Sequence, residues 1–205
     1  VYASSAKELE GVSVIKTDWW IELQDGMVVP FVDHSVRYDQ VNNRPVISYG
    51  LGSYGYDIRL SPQEFFVFKH IPGTVVNPKK FNRDNLVDIP IQCDDSGEFF
   101  VLPALSYGLG VSLEKLTMPP DVTAVCVGKS TYARCGVIAN ITPVEAGWTG
   151  YLTLEFSNSS GADVRLYASE GVAQLLFFQG ERCKTTYADR FGKYQGQQHK
   201  VTTPR

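Results

Sequence analysis

The run from Gly128 to Asn158 constrains the fold more than any other part of the 205-residue chain. It opens with a basic, hydroxyl-rich turn, Gly-Lys-Ser-Thr-Tyr-Ala-Arg. A Pro/Gly-rich bend follows, Thr-Pro-Val-Glu-Ala-Gly-Trp-Thr-Gly, and the run closes on Tyr-Leu-Thr-Leu-Glu-Phe-Ser-Asn. In that last segment Leu152, Leu154 and Phe156 alternate with Tyr151, Thr153, Glu155 and Ser157. A period of two belongs to a strand with one face buried. Residues 121–127, rich in Val and Ala, read as a buried strand ended by Gly128. Ser130 or Thr131 can then cap a short helix running to about Cys135.

The chemistry of these pieces is suggestive but not yet specific. Free N–H groups at a helix start, two hydroxyls, Lys129 and Arg134 together suit a polyanion. Taken alone, the same turn is a helix cap with two surface cations, and Glu155 is an ordinary solvent-facing strand glutamate. The turn is not a Walker A loop, because that motif needs a glycine where the chain has Thr123. Gly50-Leu51-Gly52-Ser53-Tyr54-Gly55 matches GxGxxG, but the following Tyr56-Asp57-Ile58-Arg59-Leu60 alternates like a strand. The dinucleotide fingerprint requires a helix there. One catalytic zinc signature pairs an H-x-E with a P-C-x-x-C. The chain has neither, and His34, His70 and His199 are scattered without cysteine partners, so no metal site is expected.

Eighteen Gly and eleven Pro, with many Val, Tyr and Phe, point to a mostly β chain, and the length suits one domain over 1–205. A net charge of −3 leaves no broad basic surface for duplex nucleic acid. Cys93, Cys126, Cys135 and Cys183 show no disulfide or metal spacing, so reduced thiols in a cytoplasmic protein are expected. No apolar run approaches the roughly 20 residues of a membrane-spanning helix.

Along the chain, residues 1–16 read as a loosely held start. Thr17 or Asp18 can cap a short helix carrying Trp19, Trp20, Ile21 and Leu23, its tryptophans packed on the core, stopping near Asp25-Gly26. Strands are expected over 56–60, 65–69, 99–102, 105–113, 164–167 and 172–179, with Asp57 and Arg59 paired to each other. Residues 77–97 read as a long loop containing one short strand or turn. Gln174 is the amide inside its apolar run, and its ordinary fate is an inward side chain bonded to backbone. The polar tail over 185–205 has the composition of a frayed terminus.

Several motifs, in order, resemble the bacterial dCTP deaminases, relatives of the trimeric dUTPases. They are Gly128-Lys-Ser-Thr-Tyr-Ala-Arg134, Thr142-Pro143, Gly147-Trp-Thr-Gly150, Thr153-Leu-Glu-Phe156, Gly171-Val-Ala-Gln174 and Gly192-Lys-Tyr-Gln-Gly-Gln197. The resemblance starts near Trp19 and is weakest over 77–97. It implies a distorted antiparallel β-barrel or jelly roll with a few short helices, assembled as a homotrimer with sites between subunits. It implies metal-independent conversion of dCTP to dUTP and ammonia, with Glu155 activating the water and Arg134 and Ser130 supporting it. Nucleotide contacts are implied for Lys129, Ser130, Thr131, Tyr132, Ala133, Arg134, Thr142, Pro143, Thr153, Leu154, Glu155 and Gln174. The tail becomes a lid over the triphosphate, with Tyr187, Lys193 and Gln197 touching the nucleotide. Mg²⁺ is expected with the triphosphate, and dTTP as a feedback inhibitor. Two alternatives stay open. One is a dUTPase or bifunctional enzyme releasing dUMP and pyrophosphate, for which Glu145 would be the base. The other is a non-catalytic nucleotide-binding module.

Overall fold

The structure, a computed structural model, describes residues 14–69 and 71–205. Most of the expected loose start, and His70, lie outside the described residues. A helix α1 (Asp18–Glu22) precedes strands β1 (Val28–Val29), β2 (Ser35–Asp39), β3 (Arg44–Leu51), β4 (Tyr56–Arg59) and β5 (Phe66–Phe68). A 3₁₀ turn (Arg83–Asn85) leads to β6 (Leu86–Asp88), β7 (Gln92–Asp94), β8 (Gly97–Leu102), β9 (Tyr107–Thr117) and β10 (Val122–Gly128). Then come α2 (Ser130–Ala133), β11 (Val137–Ala139), β12 (Thr149–Asn158), β13 (Val164–Tyr167) and β14 (Gly171–Gln179). The fold is mainly β, with antiparallel sheets and few short helices, as expected. One sheet runs β11-β12-β9-β5-β6 with β1 also on β9; a second runs β10-β14-β4-β3-β2; a third runs β13-β8-β7. Among the described residues no helix is long and apolar enough to cross a membrane.

The core is where the alternation sends it. β12 buries Leu152, Leu154 and Phe156 and leaves Tyr151, Thr153, Glu155 and Ser157 half-buried on the other face. β14 contributes Val172, Ala173, Leu175 and Phe177, and β4 contributes Tyr56 and Ile58. β10 departs from the expected fully buried strand. Val122, Ala124 and Cys126 turn inward while Thr123 and Val125 are exposed, because only one face of its sheet meets the core. Residues 77–97 hold more structure than one strand: the 3₁₀ turn, β6 and β7 all fall there. Trp20 packs on the core, but Trp19 is 68% exposed, since α1 turns only Ile21 and its neighbours inward. Thr17 occupies the cap position without a side-chain cap bond, and Lys129, not Ser130 or Thr131, stands at the cap of α2.

The β9·β12 pairing carries an irregularity next to the functional face. Tyr151 lies opposite Lys115 and Thr153 opposite Val111, so two steps on β12 match four on β9. The detour would orphan backbone groups, and Ser112 repairs it. Its hydroxyl accepts from Leu152 N at 2.9 Å and donates to Glu114 O at 2.7 Å. Such bulges bend a strand and re-aim the side chains beside it. The same detour pushes Glu114, fully buried, towards β4. There its carboxylate accepts from Arg59 Nε at 2.6 Å and from Arg59 N at 2.9 Å.

Asp57 and Arg59 therefore do not pair with each other. They sit two apart on one face of β4 and reach different partners. Arg59 takes Glu114, while Asp57 takes Lys129 at 2.5 Å. Burial pushes the Glu114 carboxyl up and Arg59 pulls it back. Removing one member of such a pair leaves the other charge stranded, which costs about 3–5 kcal/mol. Glu114→Ala should accordingly lower unfolding stability by about that much in urea denaturation, with the m-value unchanged.

Candidate active site

A cavity of about 590 Å³ opens on the polar face of β12. Its floor holds Glu155 and Thr153, one wall comes from the bend at Thr142, Pro143 and Glu145, and the tail supplies Tyr187, Lys193 and Gln197. Phe68 on β5 and Tyr107 and Leu109 on β9 complete the opposite wall.

The bend is fixed at both ends. Asn140 N donates to Glu155 O at 2.9 Å, and Val144 exchanges two backbone bonds with Ala124 at 2.8 and 2.9 Å. Thr142 and Pro143 lie exposed between these anchors and line the same cavity as the carboxylate. Gly147, at φ +77°, turns the chain into β12.

The tail is tied down along β12. Gly196 N donates to Thr149 O at 2.9 Å and Tyr151 N to Gln197 O at 3.1 Å. Thr153 Oγ1 donates to Gln197 Oε1 at 3.2 Å and accepts from Thr202 N at 3.0 Å. Gly150 permits this approach: at φ +145°, a Cβ there would stand 2.7 Å from Gln197 N. Val201 is buried against Leu109 and Val111, and His199 stacks on Tyr151 with centroids 4.2 Å apart. Trp148 Nε1 donates to Tyr194 O at 2.9 Å, and Tyr194 N to the Tyr187 hydroxyl at 2.9 Å. Composition alone had suggested a frayed end; backbone bonds and one buried valine override it.

Glu155 is the chemically unusual group. Burial is the main cause that pushes its carboxyl up to about 7 from 4.5, against a weaker opposing backbone bond. Its Oε2 is buried with no hydrogen-bond partner among the described residues. A carboxyl that ionises near neutrality can accept a proton and return it at the same pH.

The residue pattern also decides kinship. The dCTP deaminase-like family matches residues 30–180. A dCTP deaminase of Acidovorax sp. (strain JS42) is 49% identical over 195 residues, covering 93% of this chain and 98% of that protein. The chain belongs to the dCTP deaminase-like family. A dCTP deaminase of Francisella tularensis subsp. novicida (strain U112) is 47% identical over 187 residues, covering 89% of this chain and 95% of that protein. The crystal structure of 2'-deoxycytidine 5'-triphosphate deaminase from Agrobacterium tumefaciens has a similar fold, with a TM-score of 0.53 at 19% identity over 81% of this chain. The chain spans about half the length of that solved structure, 48%.

Within this family frame, the expected site residues divide into two groups. Thr142, Pro143, Thr153, Glu155, Tyr187, Lys193 and Gln197 share the cavity. Lys129, Ser130, Thr131, Ala133 and Arg134 do not line it; they surround α2, where Ser130, Thr131, Ala133 and Arg134 are exposed and Lys129 is bound to Asp57. Gln174 is half-buried on β14, opposite Asp57 and Val127, and so belongs with the α2 group. Two positions turn their side chains into the core. Leu154 is fully buried, and Tyr132 is buried with its hydroxyl accepting from Tyr167 N at 2.9 Å. Only backbone at those two positions is left to meet a ligand. The sequence reading missed Phe68, Tyr107 and Leu109. It placed all three strands that meet here, but alternation within a strand does not say which strands become neighbours.

Proposed function

We propose that this chain is a single deaminase domain that converts dCTP and water to dUTP and ammonia. The observation that carries the reading is Glu155, a half-buried carboxyl with an unpartnered Oε2, ionising near neutrality on the floor of a cavity that the bend, aromatic rings, Glu145 and Lys193 help to wall. The ionised carboxylate takes a proton from a water held by the Thr142–Pro143 backbone. The oxygen bonds to C4 of cytosine as the carboxyl passes the proton to N3. Glu155 then takes the proton of the new C4 hydroxyl and delivers it to the amine, so the C4–N bond breaks, ammonia leaves and C4 becomes a carbonyl. Among the described residues no three His, Cys, Asp or Glu side chains cluster as a metal-binding set. Any Mg²⁺ is assigned to the triphosphate oxygens, and no step is routed through it.

The phosphates need the second group. Lys129, Ser130 and Arg134 supply cations, hydroxyls and helix-start N–H groups, yet stand apart from the Glu155 cavity within one chain. We therefore read the working form as the homotrimer expected for the barrel, each site joining the cavity of one copy to the α2 turn of another. The tail over 185–205 is then the lid, and dTTP would compete for the same triphosphate grip. Co-expression tests this. Glu155→Gln and Arg134→Ala chains should each be inactive, while mixed assemblies should regain part of the activity, because some sites receive both intact contributions. No recovery would mean that the site lies within one chain.

Product analysis tests the chemistry itself. Incubation with dCTP should give dUTP and ammonia. Glu145 lines the same cavity and is ion-paired with Arg190 of the tail, which keeps the hydrolase reading on the table. Appearance of dUMP and pyrophosphate from dUTP would favour it, and no product from either nucleotide would favour a binding module.

A further inference from the structure

Tyr107 is the polar group on the β9 wall of the cavity that the mechanism leaves unused. The β9·β12 register sets Leu109 opposite Glu155 and Tyr107 opposite Ser157, so all four side chains share one face. Tyr107 is thus the diagonal neighbour of Glu155, a separation of about 7–8 Å that long side chains can close. Both residues line the cavity. The ring of Tyr107 is braced edge-on by Phe68, with centroids 5.4 Å apart, and Phe68 is braced in turn by Phe81 at 5.9 Å. Its hydroxyl makes no hydrogen bond among the described residues. Across the cavity floor, Glu155 Oε2 is buried and likewise unpaired. Burial, and then the charge of Glu155, push the phenol up to about 12, so it keeps its proton throughout the range in which Glu155 ionises.

We propose that Tyr107 is a positioning residue for the deamination, its hydroxyl donating to the ionised Glu155 carboxylate directly or through one water. The role rests on Glu155 being the base. A donor there does two things. It fixes the carboxylate against the bend at Thr142 and Pro143, and it favours the ionised form that must take the first proton.

Steady-state kinetics of Tyr107→Phe with dCTP across the acid limb test this. The phenyl ring keeps the contact with Phe68, so the wall is preserved. The acid limb should move up by roughly one unit, the effect of losing one hydrogen bond to a carboxylate. Near pH 7 kcat should then fall about fivefold and recover at high pH, with KM held within about twofold. The Glu155 carboxyl, followed by ¹³C NMR in the unliganded protein, should titrate higher by a similar amount. An unmoved limb, a loss that is uniform in pH, or a change confined to KM overturns the proposal. Glu155→Gln measured alongside separates the two readings. Turnover in that variant would remove the base assignment itself, whereas an inactive Glu155→Gln beside an unaltered Tyr107→Phe would remove only the role of Tyr107.

Discussion

Glu155→Gln should lose about 10²–10⁴-fold in kcat for ammonia release while still binding dCTP, since the amide keeps the shape of the floor but cannot take a proton. Isothermal titration supplies the binding half of that result and an ammonia-coupled assay the kinetic half. The same substitution should change stability in the opposite direction. In the folded chain the Glu155 pKa is raised from 4.5 to about 7 by burial. Its contribution to stability is therefore complete below pH 4.5 and is lost as pH rises through about 7. Glutamine has no charge to bury. The melting temperature of the unliganded variant should match the parent near pH 4.5, exceed it increasingly up to about pH 7, and hold that advantage above. A variant that is inactive but gains no advantage over the parent between pH 4.5 and pH 8 would show that the carboxyl is better solvated than its burial indicates.

Removing residues 185–205 should weaken dCTP binding by at least about tenfold and also lower the melting temperature by several degrees. The double loss is what distinguishes this tail from a simple flap. Trp148 would lose its acceptor at Tyr194, the backbone of β12 would lose its bonds to Gln197, and Leu109 and Val111 would lose the cover of Val201. Calorimetry and nucleotide titration on one truncated preparation measure both effects. Weakened binding with an unchanged melting temperature would mean that the contacts along β12 contribute nothing until nucleotide arrives.

Much of this site was legible in the order of residues. The two-residue period of 151–157 assigned Glu155 to the polar face, and β12 has that alternation, with the polar face half-buried and not open to solvent. The turn at Gly128 and the short helix after it fell within two residues of their observed bounds. What stayed hidden was everything decided between strands. Asp57 and Arg59 look like a pair because they are two apart, yet the β9 detour brings Glu114 to one and α2 brings Lys129 to the other. Leu154 and Tyr132 belong to motifs that signal the family, but inside those motifs their side chains fill the core. Tyr107 carried no signal at all, because a tyrosine on an alternating strand is unremarkable until register places it beside a carboxylate. The tail misled in the other direction: glycine and glutamine predict fraying only when no strand edge is waiting for them.

That edge has a consequence for turnover. β12 is flanked by β9 along one side, and along the other by β11, the Asn140 contact and the tail in succession. The strand that bears the carboxylate is thus held along both edges. With the tail acting as the proposed lid, passage would need the stretch around Gln197 to peel back, and product escape should then slow as the viscosity of the medium rises.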